Sequence, residues 1–270
     1  MDDRPIGVFD SGLGGLTTVR ELCRLLPEED IVYFGDTGRV PYGSRSRETI
    51  VKYARQDVAF LRTFDLKTIV IACGTVSTTA LDVLAAENPI PVLGVVAPAA
   101  RAAARATRSG RIGLIGTQAS IRSGAYERLI RAENPAARVL AQPCPLFVPL
   151  VENGRFRPGD VVIETVAAEY LAPLKEAGVD TLVLGCTHYP LLEKVIGAYM
   201  GPEVRLINSG AEGARAAADC LRERDALAGP GRGSCRCFVS DRQEDFSRLA
   251  STFLGWDVAQ AVEQVDISQY

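Results

Sequence analysis

The sequence predicts an α/β fold built from two similar parallel-sheet halves. Three observations predict it. Short, almost wholly apolar runs recur along the 270 residues. Longer stretches with helical spacing separate them. Three segments of the first half reappear, in the same order, in the second.

The apolar runs are IGVF (6–9), DIVYFG (30–35), TIVIAC (68–73), PVLGVV (91–96), RIGLIG (111–116), RVLAQP (138–143), TLVLGC (181–186) and VRLIN (204–208). Parallel strands covered by helices have this character, because neither face meets water. Between them, TTVRELCRLL (17–26) and RETIVKYARQDVAFLRTF (47–64) carry apolar residues at three- and four-residue intervals. Regular alternation of the two kinds of segment argues for a parallel sheet. GPGRGSCR (229–236) reads as a loop from its glycine and proline. CFVSD (237–241) and FSRLASTFLGWDV supply a further strand and helix.

The repeat is specific. TIVIACGT (68–75) matches TLVLGCTH (181–188), so that Cys186 follows Cys73 by 113 positions. IGVFDSGLGGLTTV (6–19) matches IGLIGTQASIRSGA (112–125), and VLGVVAPAARAAA (92–104) matches RLINSGAEGARAAA (205–218). The expected division is residues 1–97 plus 212–270 for the first α/β domain and 98–211 for the second. The two are related by pseudo-twofold symmetry, with a site between them.

Composition narrows the function. Apolar residues make up 47% and charged residues 23%, and the net charge is -3. That is a soluble globular balance without the basic excess of a nucleic-acid binder. No apolar run approaches the roughly 18 residues that cross a membrane. MDDRPIGVF lacks the basic and apolar regions of a signal peptide, so a cytoplasmic location is expected. Seven cysteines, an odd number, argue against a disulfide framework. His188 is the one histidine.

Cys73 and Cys186 end equivalent strands, and ligands of open parallel sheets bind beyond such ends. A helix N-terminus following each cysteine is expected to lower the thiol pKa. Two sulfurs facing one carbon from opposite sides can invert it. One takes a proton from one face while the other gives a proton to the opposite face, and the two titrate as a coupled pair. A single strand-end cysteine is more often packing. The duplication, with His188 beside one copy, favours chemistry.

DSGLGG (10–15) is a glycine-rich turn that could cradle an anion or serve only as a tight turn. Asp10 there is a helix N-cap or an acceptor for a substrate ammonium. Thr17 stands where a dinucleotide fingerprint needs glycine. Asp36 lies near the place of a ribose-binding acid, so a nicotinamide-dependent oxidoreductase stays as an alternative. VPYGSRS (40–46) is a loop, and Glu152 in LVENG precedes a turn. Cys235 and Cys237 read as strand alternation rather than a zinc pair. A metal-binding or redox module is the remaining alternative for the cysteines.

DSGLGGLTTVREL, FGDTGRVPYGSRS, IACGTVST, IGTQASIRSGAY, PLVENG and LGCTHYPLL, in this order, resemble the glutamate racemases of bacterial cell-wall synthesis. The resemblance covers nearly the whole chain. It implies two α/β domains around the active site, and interconversion of L- and D-glutamate for peptidoglycan. It implies no cofactor, no metal and a homodimer. Cys73 and Cys186 would be the acid/base pair, assisted by Asp10, Glu152 and His188. Substrate would be held by Asp10, Ser11, Tyr42, Gly43, Thr75, Thr187 and His188. Position 74 departs from the family, which usually has asparagine where this chain has Gly74. A lost substrate hydrogen bond costs about 0.5–1.5 kcal/mol, so another α-carbon acid such as aspartate is the alternative substrate.

Overall fold

A computed structural model describes residues 1–241, 243–256 and 262–270. The first four strands are β1 (Ile6–Asp10), β2 (Ile31–Gly35), β3 (Thr68–Ile71) and β4 (Val92–Gly94). The next four are β5 (Arg111–Gly116), β6 (Arg138–Pro143), β7 (Thr181–Leu184) and β8 (Arg205–Asn208). Near the end of the chain come β9 (Cys235–Val239) and β10 (Val262–Gln264). One sheet has the order β10-β9-β2-β1-β3-β4 and the other β6-β5-β7-β8. All pairings are parallel. The order β2-β1-β3-β4 is therefore repeated as β6-β5-β7-β8, which is the structural form of the sequence repeat.

The strands form where the apolar runs lie because every residue of β1, β2, β3 and β7 is buried. Burying an aliphatic side chain of this kind contributes about 1.5–3 kcal/mol. Some runs are longer than the strands within them. TIVIAC leaves the sheet after Ile71, and TLVLGC after Leu184. Both cysteines thus stand just beyond a strand, where the chain turns. The parallel registers align these ends: Phe9 pairs with Ile71, and Ile115 with Leu184.

Small residues hold the two sheets together. Helices Val96–Ala106 and Ser209–Glu223 contact each other. Ala99, Ala100, Ala103, Ala214, Ala217 and Ala218 are buried along them. A Cβ at Gly213 would fall 2.6 Å from Val95 Cγ1, so the helix can approach only with glycine there. Side-chain caps start several helices: Ser46 accepts from the Thr49 amide, Thr117 from Ser120, and Asn208 from Ala211.

The chain's end adds β9 beside β2 and β10 beside β9. Helix Gln243–Leu254 lies between them, and residues 257–258 of the expected helical segment lie outside the described residues. β10 is three residues long with two exposed, so it carries no apolar run to announce it. Cys235 and Cys237 alternate along β9, their sulfurs 3.9 Å apart. Among the described residues no helix is long and apolar enough to cross a membrane.

Candidate active site

A cavity of about 420 Å³ opens between the carboxyl ends of the two sheets. Ser11, Tyr42, Gly43, Cys73, Gly74 and Thr75 line it from the first sheet's loops. Glu152, Cys186, Thr187 and His188 line it from the second. Asp10 is not on the wall. It lies directly behind Ser11 and is 1% exposed.

Cys73 caps the short helix Gly74–Thr79, and its thiol donates to Ser11 Oγ at 3.4 Å. Its pKa is pushed up to about 12, first by burial and then by the nearby Asp10 charge. The expectation that a helix N-terminus would make this thiol acidic is therefore corrected. Desolvation of a thiolate outweighs a few partial charges at a helix end. Cys73 rests as a thiol, ready to give a proton.

The second sulfur has different company. Cys186 Sγ is 4.0 Å from His188 Nδ1, and His188 Nε2 is 2.9 Å from Glu152 Oε1. Burial alone would lower the His188 pKa. Hydrogen bonds to Cys186 and Glu152, with their charges, override burial and push it up to about 10. His188 is therefore an imidazolium at neutral pH, bridging a carboxylate and a sulfur. Its ring also packs perpendicular to Phe253, with centroids 5.4 Å apart.

Two amides of the glycine turn are taken from within the chain. Asp10 Oδ2 occupies its amides, accepting from Gly12 at 3.2 Å and Gly15 at 3.0 Å. Asp10 Oδ1 is buried without a hydrogen-bond partner. Burial raises the Asp10 pKa, while the His188 charge opposes that rise. The turn also receives the second domain. A Cβ at Gly14 would fall 2.5 Å from His188 Nδ1, and Thr17 Oγ1 donates to the Thr187 carbonyl at 2.9 Å. Glycine is required here so that the Cys186–His188 loop can close on β1.

Tyr42 lines the cavity, but its hydroxyl is engaged elsewhere. The hydroxyl faces a buried cluster formed with Asp36, Arg39 and Asp57. Arg39 Nε donates to Asp36 Oδ2 at 2.6 Å and Nη2 to Asp57 Oδ1 at 2.8 Å. Tyr42 donates to Asp36 Oδ2, and its oxygen lies 3.1 Å from Asp57 Oδ2. Ser240 donates to Asp36 Oδ1 at 2.7 Å. A phenol has one proton, and Asp36 receives it, so a bond between Tyr42 and Asp57 requires a proton from Asp57. Burial, then the facing Asp36 charge, holds the Asp57 pKa well above the carboxylate range. Arg39 thus bridges two buried carboxyl groups, and burial with the facing Asp36 charge favours the protonated form of Asp57. This closed network anchors the loop that carries Tyr42 and Gly43.

Gly74 is hemmed in. A Cβ there would fall 2.7 Å from the Gly185 carbonyl oxygen. The second domain's backbone occupies the space where a side chain would begin.

Sequence reasoning missed Thr117, Gln118, Cys144 and Gly185, which also line the cavity. Thr117 Oγ1 is 3.0 Å from Thr75 Oγ1 and bridges the domains. The repeat held its signal, because Thr117 aligns with Ser11. Cys144 gave no signal, since its surroundings lack a counterpart in the repeat. Asp36, read as a possible ribose-binding acid, is fully buried in the Arg39 cluster and does not line the cavity. Among the described residues, no cluster of three or more His, Cys, Asp or Glu side chains is placed to hold a metal ion.

Comparison with known proteins gives a consistent set of relatives. Residues 9–217 match the family model described as Asp/Glu/Hydantoin racemase. The chain is 49% identical over 256 residues to a glutamate racemase of Geobacter metallireducens, covering 94% of each protein. The structure superposes on a glutamate racemase isoform from Bacillus anthracis with a TM-score of 0.93, 38% identity and 98% coverage of each chain. It also superposes on the Francisella tularensis glutamate racemase in complex with D-glutamate, with a TM-score of 0.92, 37% identity and full coverage of both.

Proposed function

Because the chain belongs to the Asp/Glu/Hydantoin racemase family, we propose that it interconverts L- and D-glutamate by proton transfer between two cysteines. One observation carries the reading: Cys73 and Cys186, from equivalent positions of two repeated sheets, line one cavity. The substrate α-carbon sits between them. Cys186, as thiolate beside the His188 imidazolium, takes the α-proton from one face. Cys73, as thiol, gives its proton to the carbanion from the other. The Cα–H bond to one face is broken and a new one forms on the opposite face. The sulfurs have then exchanged protonation states, which is the starting state for the reverse substrate. The reaction needs no net oxidant or reductant and no cofactor.

Glu152 holds His188 in place, and Asp10, set behind Ser11, bears on the Cys73 thiol through its charge. Ser11, Tyr42, Gly43, Gly74, Thr75 and Thr187 enclose the substrate. The family resemblance further supports a homodimer in the cytoplasm that supplies D-glutamate for peptidoglycan, and the internal repeat supports the domain division at residues 97–98 and 211–212.

The test uses L-glutamate in heavy water. Optical rotation should fall to zero, and the α-position should take up deuterium. Folded protein that does neither refutes the reading. An amino-acid panel addresses Gly74: a clear preference for aspartate would replace glutamate as substrate while leaving the two-sulfur chemistry in place.

A further inference from the structure

Beside the substrate cavity lies a second one of about 410 Å³, and the two share Gly43 and Ser44. Its walls come from both domains. Arg45 and Arg47 stand on one side, and Arg122 and Arg128 on the other. Four hydroxyls accompany them, from Ser44, Thr78, Thr79 and Ser123. Among the described residues, no carboxylate lines it. That is unexpected in a chain whose acids outnumber its bases, 33 to 30.

The arginines are little compensated. Arg47 lies 3.6 Å from the exposed Asp82, and Arg128 donates to the Ser123 carbonyl, which is uncharged. Among the described residues, the guanidinium groups of Arg45 and Arg122 have neither a hydrogen bond nor an ion pair. An arginine stays charged at any physiological pH, and its planar fork of donors matches carboxylate or phosphate oxygens. Four such groups converging on one concavity repel each other until an anion enters.

We propose that this basin is a receiving site for small carboxylate and phosphate anions, and that it gathers anionic substrate at the mouth of the neighbouring cavity. The second clause rests on the glutamate reading above, since glutamate carries two carboxylates and one ammonium. Fixed charge around a cleft raises the local concentration of a counter-ion, and salt screens the effect. Ser44, common to both cavities, marks the passage between them.

The experiment compares the double variant Arg45→Gln/Arg122→Gln with a charge-matched control, Arg108→Gln/Arg222→Gln. The control arginines lie outside both cavities and pair with Glu203 and Asp219. At about 20 mM salt the basin variant should raise KM about fivefold, shrinking to less than about twofold near 0.5 M salt. The loss should lie in KM and not in kcat. A binding arm needs no turnover: inorganic pyrophosphate at constant ionic strength should raise Tm for the wild type and the control but not for the basin variant. The proposal is overturned if the basin variant and the control share one KM and one salt slope, or if pyrophosphate shifts all three proteins equally. A wild type that fails to racemise glutamate would refute the proposed function alone, because the pyrophosphate arm still decides the anion site.

Discussion

Asp57→Asn and Asp36→Asn are the same chemical change made twice in one buried cluster, and the structure predicts unequal outcomes. Burial and the Asp36 charge drive Asp57 toward its protonated form; its Oδ1 accepts from Arg39, and its Oδ2 lies 3.1 Å from the Tyr42 hydroxyl oxygen. An asparagine there reproduces both bonds, with its carbonyl toward Arg39 and its amide toward Tyr42. Near pH 4 the expected change in stability is within about 0.5 kcal/mol, because no buried polar group loses its partner, and the variant gains on the wild type as pH rises. Asp36 is fully buried and pairs with Arg39, whose side chain is only 17% exposed. Removing one partner of a buried ion pair costs about 3–5 kcal/mol. For a protein of this size that corresponds to a Tm lowered by about 6–20 °C. KM should rise as well, since the cluster anchors the loop bearing Tyr42 and Gly43.

The pH dependence has a definite sign. The folded pKa of Asp57 lies above its unfolded value near 3.9, so the folded state binds the extra proton. Wild-type stability therefore falls as pH rises above about 4, by at most about 1.4 kcal/mol per pH unit from this group. Asp57→Asn lacks that contribution. Thermal unfolding of both variants from about pH 4 upward, with KM at pH 7, is the assay. Equal damage from the two substitutions, or equal tolerance of them, refutes the proton assignment.

Three further outcomes follow from the site. His188 has a folded pKa of about 10 against an unfolded value of 6.5, so its contribution to stability is complete below 6.5 and is lost as pH rises through 10. Tm should decline over that window, and Glu152→Gln should flatten the decline; a wild-type Tm independent of pH there contradicts the ion pair. Gly14→Ala places a Cβ against the buried His188 ring, and kcat should fall about a hundredfold through misplacement of the Cys186 loop. Unchanged kcat would show that the turn needs glycine only for its own geometry. Gly74→Ala meets the Gly185 carbonyl and should raise KM several-fold, about three to ten times, by forcing the domains apart; an unaltered KM would show that this seam yields freely.

The architecture was legible because a fully buried parallel strand leaves an unbroken apolar run, and because the runs repeat. The cysteines were legible for the same reason, each ending one copy of a duplicated segment. The site's electrostatics were not. A helix start after Cys73 suggested an acidic thiol, but burial and Asp10 decide the matter, and both depend on packing. The DSGLGG amides looked free for an anion, yet Asp10 folds back and takes those of Gly12 and Gly15. Asp57 sits within an ordinary amphipathic segment and reads as a surface residue. It is buried because the distant loop around Arg39 and Tyr42 closes over it. The arginine basin was invisible for a similar reason, since its two sides are far apart in sequence.

The central claim is that each sulfur serves one face of the α-carbon. Its most direct test is exchange of the α-proton of L- and D-glutamate into heavy water by Cys73→Ala and by Cys186→Ala, followed by proton NMR. Each variant should exchange one enantiomer without inverting it, and the two should act on opposite enantiomers. If both variants exchange the same enantiomer, or if either still racemises glutamate, the two sulfurs are not an opposed pair.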